Sequence, residues 1–174
     1  MASAISFVAL GSLYFFYQNH NANLKLPNAF IYSTISITAA THFVLNTRNN
    51  LEDSAISTLQ RNLLISLFML FVFCTFQWIG WHSLANQNAG FTSAPSNSIV
   101  YLLSGLHLLH VFAMIIYNLH LYVNCKKETR TEVKILVYIT EPYIKIKFQM
   151  FRFFWVFLEI VWLLILGIMA LKLL

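Results

Sequence analysis

The sequence predicts an all-α integral membrane bundle of five transmembrane helices, with the N-terminus inside and the C-terminus outside. Three observations lead there. Of 174 residues, 59% are hydrophobic and only 10% are charged, whereas soluble domains carry about 25% charged residues. The apolar residues gather into five runs, and a bilayer core about 30 Å thick needs about 20 apolar residues in a helix rising about 1.5 Å per residue. The basic residues flank these runs and divide unequally between alternate loops, as topology signals do. Five spans occupy most of the chain, so a single membrane domain over residues 1–174 is expected, with no separate soluble catalytic unit. The spans fall near residues 3–18, 28–46, 62–84, 98–123 and 148–172.

The first run, Ala4 to Tyr17, is short, and it spans if Ala2 and Ser3 join it or the bilayer thins. It lacks a positive leader and a small-residue cleavage site, so it reads as a retained helix and not a cleaved signal. The polar turn QNHNANLK follows, with Pro27 placed where a first helical turn tolerates it. The second run, Ala29 to Leu45, ends at NTRNNLEDS. The third, Leu63 to Leu84, closes on Trp78 and Trp81, an interfacial aromatic pair. The uncharged loop ANQNAGFTSAPSNS leads to the fourth run, Ile99 to Val123, and KKETRTEVK opens the longest connection. Within it YIKIKF alternates with period two, as a strand does, but a lone strand would have nothing to pair with. Residues 135–150 therefore read as an interfacial segment, aromatics to lipid and lysines to phosphate. The fifth run, Phe148 to Leu171, completes the set.

Charge decides orientation. With five spans, Arg48, Arg61, Lys126, Lys127, Arg130, Lys134, Lys145, Lys147 and Arg152 share one side, and only Lys25 and Lys172 remain for the other. The positive-inside rule puts the first group in the cytoplasm. The net charge of +5 thus marks topology, and without a basic stripe interleaved with aromatics on a soluble helix no nucleic-acid partner is expected. Cys74 and Cys125 form neither a disulfide framework nor a zinc spacing.

Polar groups inside a span usually face the bundle interior and are functional candidates. His107 and His110 stand three apart in SGLHLLHVFAMI, and Glu159 stands in WVFLEIVWLLIL. Counting from span centres, His110 lies near mid-depth, Glu159 a few ångströms inward, and His107 about 5 Å outward. His110 is thus the better-placed partner for Glu159. Haem would need histidines from two helices at one depth, and the His107/His120 spacing has no matching pair on a second helix. Metal binding would want three or four converging ligands. Transport would want broken helices or further carboxylates. Hydrogen bonds that tie helices together, worth about 0.6–2 kcal/mol each, are the main alternative. Arg48, Arg61 and Arg152 are candidate contacts for phospholipid head groups, or plain topology markers.

With these residues in hand, the chain resembles subunit III of the haem-copper oxidases (cytochrome c and quinol oxidases), in a short five-helix form. YLLSGLHLLHV (101–111) is similar to the family's small residue, Gly, x, His, x, x, His, Val. FWVFLEIVWLLIL (154–166) resembles its Trp-His-Phe-x-Asp-x-x-Trp, with Trp155, Phe157 and Trp162 matched and Glu159 in place of Asp. LPNAFIYST (26–34) and FQWIGWHSL (76–84) resemble two further family helices, in order. The departures are a first span without the family's Glu, Val156 where the family has His, and Leu108 and Met114 where small glycines are frequent.

The resemblance implies a non-catalytic subunit that packs on subunit I of a respiratory terminal oxidase and binds phospholipid. It also implies support for sustained turnover and proton uptake in aerobic electron transport. Haem and copper would then reside in partner subunits and none in this chain. The expected location is the cell inner (plasma) membrane, the mitochondrial inner membrane being second. An accessory subunit of nitric-oxide reductase, a small haem-carrying protein and a small transporter are the alternatives.

Overall fold

The computed structural model describes residues 9, 11–12, 27–47, 55–87, 90–91, 95–129 and 131–171. Among them every regular element is helical: α1 Asn28–Leu45, α2 Ile56–Asn86, α3 Pro95–Glu128, α4 Glu132–Thr140 and α5 Pro142–Leu171. The four long helices close a ring, in which α1 packs on α2 and α5, and α3 packs on α2 and α5. The short α4 touches the ends of α3 and α5.

The outer surface differs from that of a soluble bundle, although the core is mainly apolar. The outer belt is apolar, with Ile35, Phe68, Trp78, Leu109, Ile116, Phe153 and Leu164 all exposed, while Ser33, Ser36, Thr41, Ser66, Gln77, His107 and Asn118 are buried. Water would penalise so large an apolar surface; lipid does not, and it penalises exposed polar groups instead. Three helical stretches are long and apolar enough to cross a membrane: Ile56–Asn86, Asn97–Glu128 and Pro142–Ala170. The helix α1 has 18 residues, but its Ser33, Thr34, Ser36, Thr38 and Thr41 make it more polar. Four of those five hydroxyls are hydrogen-bonded within the protein.

The expected spans 28–46, 62–84, 98–123 and 148–172 each fall on a helix, and three of these helices extend well beyond them. The expected span 3–18 lies outside the described residues, apart from Ala9, Gly11 and Ser12, which are helical. A Cβ on Gly11 would sit 3.4 Å from Ile168 Cδ1, so this part of the first run lies against α5. Arg48 is also outside the described residues.

Residues 135–150 are two helices meeting at Glu141–Pro142. Glu141 is extended, with φ −71° and ψ 117°, because the proline ring disfavours helical backbone at the residue before it. Pro142 itself opens α5, a position where its missing N–H costs nothing. YIKIKF is therefore the first turns of α5, and Lys147 Nζ lies 4.3 Å from the centroid of the Tyr143 ring, a contact between residues four apart that only a helix makes. At the same end Tyr138 of α4 and Cys125 of α3 are buried, while Gln60 Nε2 donates to Thr129 Oγ1 at 3.0 Å.

Candidate functional site

The interior is tied by one repeated device. A serine or threonine donates its hydroxyl to a carbonyl three or four residues back on its own helix, and its oxygen then accepts an N–H from a neighbouring helix. Thr41 donates to Ile37 O and accepts from Trp155 Nε1 at 2.9 Å. Thr34 donates to Phe30 O and accepts from Trp162 Nε1 at 2.9 Å. Ser33 does the same with Gln77 Nε2 at 3.1 Å, Ser66 with Asn118 Nδ2 at 3.0 Å, and Ser104 with Trp81 Nε1 at 3.0 Å. Ser36 departs from the pattern by donating across the interface to Met69 O at 2.9 Å. These bonds join α1 to α5, α1 to α2 and α2 to α3.

Close approach makes this reach possible. At Gly80 of α2 an added Cβ would lie 2.7 Å from Phe30 Cε1 of α1, so any larger residue must displace that buried ring. Phe30 in turn packs against Trp162, ring centroids 6.0 Å apart.

His107 lies in the buried stripe of α3, at 1% exposure. It meets Phe73 edge to face at 5.8 Å and lies over Trp162 at 5.5 Å with rings inclined by 30°. Trp162 also takes Phe73 edge-on at 5.3 Å. The imidazole, the indole and Phe73 thus join α2, α3 and α5 at one level. His110 is turned about 60° from His107 on the same helix, to the edge of the stripe. Its Nδ1–H donates to Leu106 O at 2.7 Å, and its ring lines a cavity of about 380 Å³ with Met114, Tyr117, Phe154, Phe157 and Leu158.

Glu159 is half-buried and stands about 140° around α5 from Phe154, on the flank nearer α1. Among the described residues no hydrogen bond or ion pair joins it to either histidine. Depth, which made His110 its expected partner, does not fix azimuth: Trp155 and Trp162 turn the α5 interface toward α1, and Glu159 follows them. Arg152, two turns earlier, is half-buried on the same flank, and its Nε is buried without a hydrogen-bond partner among the described residues. Arg61 is exposed on α2.

This arrangement fastens helices. No three His, Cys, Asp or Glu side chains converge as a metal site among the described residues. Sequence reasoning weighed the ionisable groups and passed over Asn118, Gln77 and the Thr/Trp pairs. Polar residues in apolar runs were the available signal for Asn118 and Gln77; the Thr/Trp pairing needed the register between helices. In comparisons with known proteins, no family model and no curated sequence matches this chain.

Proposed function

We propose that this chain is a non-catalytic accessory subunit of a respiratory terminal oxidase, of the subunit III kind. It crosses the cell inner membrane five times, with its N-terminus inside. It packs beside the haem- and copper-bearing catalytic subunit I, binds phospholipid and supports sustained turnover and proton uptake. Its own side chains do no chemistry on substrate. The observation that carries the reading is the ordered resemblance through YLLSGLHLLHV and FWVFLEIVWLLIL. It is supported by the burial of three of the residues on which that resemblance rests, His107, Trp155 and Trp162, while His110, Phe157 and Glu159 are half-buried. The nine basic residues assigned to one side support the orientation. On this reading α1 spans the membrane despite its hydroxyls, because four of the five are hydrogen-bonded within the protein and do not meet lipid as open donors.

The test is purification of the tagged full chain from its native membrane in mild detergent, followed by a reduced-minus-oxidised spectrum and copper analysis. A haem and copper chromophore on a second polypeptide is expected. Retention of a copper-free nitric-oxide reductase would move the chain to that complex. A Soret band that stays with the isolated chain and is lost in His107→Ala would overturn the accessory role.

A further inference from the structure

A carboxylate in the middle of an apolar helix is costly unless something pairs with it. Glu159 lies about 25 Å along α5 from Pro142 and about 18 Å from Leu171, beyond easy reach of head groups at either end. It has no hydrogen bond or ion pair among the described residues, and Arg152 Nε has no hydrogen-bond partner there. The two stand about 20° apart in azimuth and about 10 Å apart along the helix. They form a charged stripe on the outer lip of the α1–α5 seam, beside exposed Thr38 of α1 and exposed Leu163 of α5. The described part of the first run lies elsewhere: Ile168, which Gly11 touches, is about 180° around α5 from Glu159.

We propose that this lip docks one transmembrane helix of a different polypeptide, which presents a cationic side chain at the depth of Glu159 and an acidic one at the depth of Arg152. The inference rests on the reading of the chain as a membrane subunit of a larger complex. Charge complementarity selects the occupant. A lipid offers a head-group phosphate that suits Arg152 alone, and nothing for Glu159 at its depth. A second copy fails as well: two like-oriented copies related by an axis along the membrane normal meet at equal depths, so Glu159 would face Glu159 and Arg152 would face Arg152. A foreign helix of opposite pattern meets both side chains at their exposed parts, Arg152 Nε itself being buried, and the low dielectric strengthens the attraction within each pair.

Photocrosslinking in native membranes tests this, with benzoylphenylalanine at Thr38 and Leu163 on the lip and at Ile116 on the far side of α3. Adducts from both lip positions should map to one apolar segment of one other protein, with Lys, Arg or His within a helical turn. Ile116 should not give that adduct. Glu159→Lys should cut the adduct yield by about tenfold or more, as expected when a desolvated charge pair is reversed. Placing Glu at the partner's cation should restore it.

Unfolding in SDS checks the variant's fold. If Glu159→Lys unfolds early, Glu159→Gln carries the test: a several-fold loss is expected, and an unchanged yield overturns the proposal. Adducts to this chain's own residues 1–26, to a second copy, to lipid only, or to an uncharged segment also overturn it. The two readings fail separately. A haem-copper subunit that crosslinks from Ile116 and not from the lip removes the docking site and leaves the oxidase role. Lip adducts to a haem-free protein do the reverse.

Discussion

The two flanks of α5 are built differently. Toward α1 the seam is polar and close, with Trp155 and Trp162 each donating to a threonine at 2.9 Å and fully buried rings filling the space between. Toward α3 the seam is held at its ends by ring contacts, His107 on Trp162 and Tyr117 on Phe151 at 5.9 Å, and by a long hydrogen bond from the Tyr117 hydroxyl to Lys147 O at 3.5 Å, with the 380 Å³ cavity beside His110 between them. Short hydroxyl side chains on α1 let the backbones approach within reach of an indole N–H. Met114, Phe154 and Phe157 line the cavity on the α3 side and leave it unfilled. In lipid, where burying apolar surface gives no advantage over leaving it exposed, close packing and hydrogen bonds are what remain to hold helices together. The α1 flank should therefore be the rigid half of the bundle and the α3 flank the adaptable one.

The largest loss is expected at the corner that both seams share. Trp162→Ala removes the Thr34 bond and the contacts with Phe30, Phe73 and His107, and a loss of about 3–5 kcal/mol is expected. Reversible unfolding in SDS measures it, and a loss below 1 kcal/mol would defeat the assignment of the core.

Next comes the tight side alone. Gly80→Ala drives a methyl into the Phe30 ring, and a cost of about 1–3 kcal/mol is expected, partly recovered in Gly80→Ala with Phe30→Leu. Failure of the second change to help would mean that the close approach of α1 and α2 is not what glycine serves. Replacing Thr41 by Val keeps the shape and removes the acceptor for Trp155, so about 0.6–1.7 kcal/mol should be lost. Asn118→Leu should cost a similar amount through Ser66. The smallest effect belongs to the loose side. Ala113, which borders the cavity, should accept Leu with a change within about 1 kcal/mol of zero, whereas Ala40→Leu in the closed core should cost about 1–3 kcal/mol. Equal costs at the two positions would erase the distinction between the flanks.

Much of the helical framework was legible because it rests on local physics. Apolar runs of the right length become helices, and Pro27 stands at the start of one. The alternation in YIKIKF makes no strand, as the want of a pairing partner implied: a six-residue pattern of period two is compatible with one exposed helical stripe once its neighbours continue the helix. At the candidate site the burial of His107 and the half-burial of Glu159 followed from polarity within an apolar run. Their partners did not. Residues at one depth on two helices meet only when both turn toward each other, and azimuth depends on how all four long helices pack. His107 accordingly lies among rings, and Glu159 faces away from His110.

Composition and the spacing of apolar runs determined by themselves that this chain is helical and suited to lipid, since those properties depend on each segment's own solvent preference. The tertiary structure alone decided which hydroxyl receives which indole, where glycine must stand, and on which flank of α5 the carboxylate lies. Those outcomes depend on the rotation and separation of helices distant in sequence, set by the simultaneous fit of side chains such as Phe30, Phe73 and Trp162.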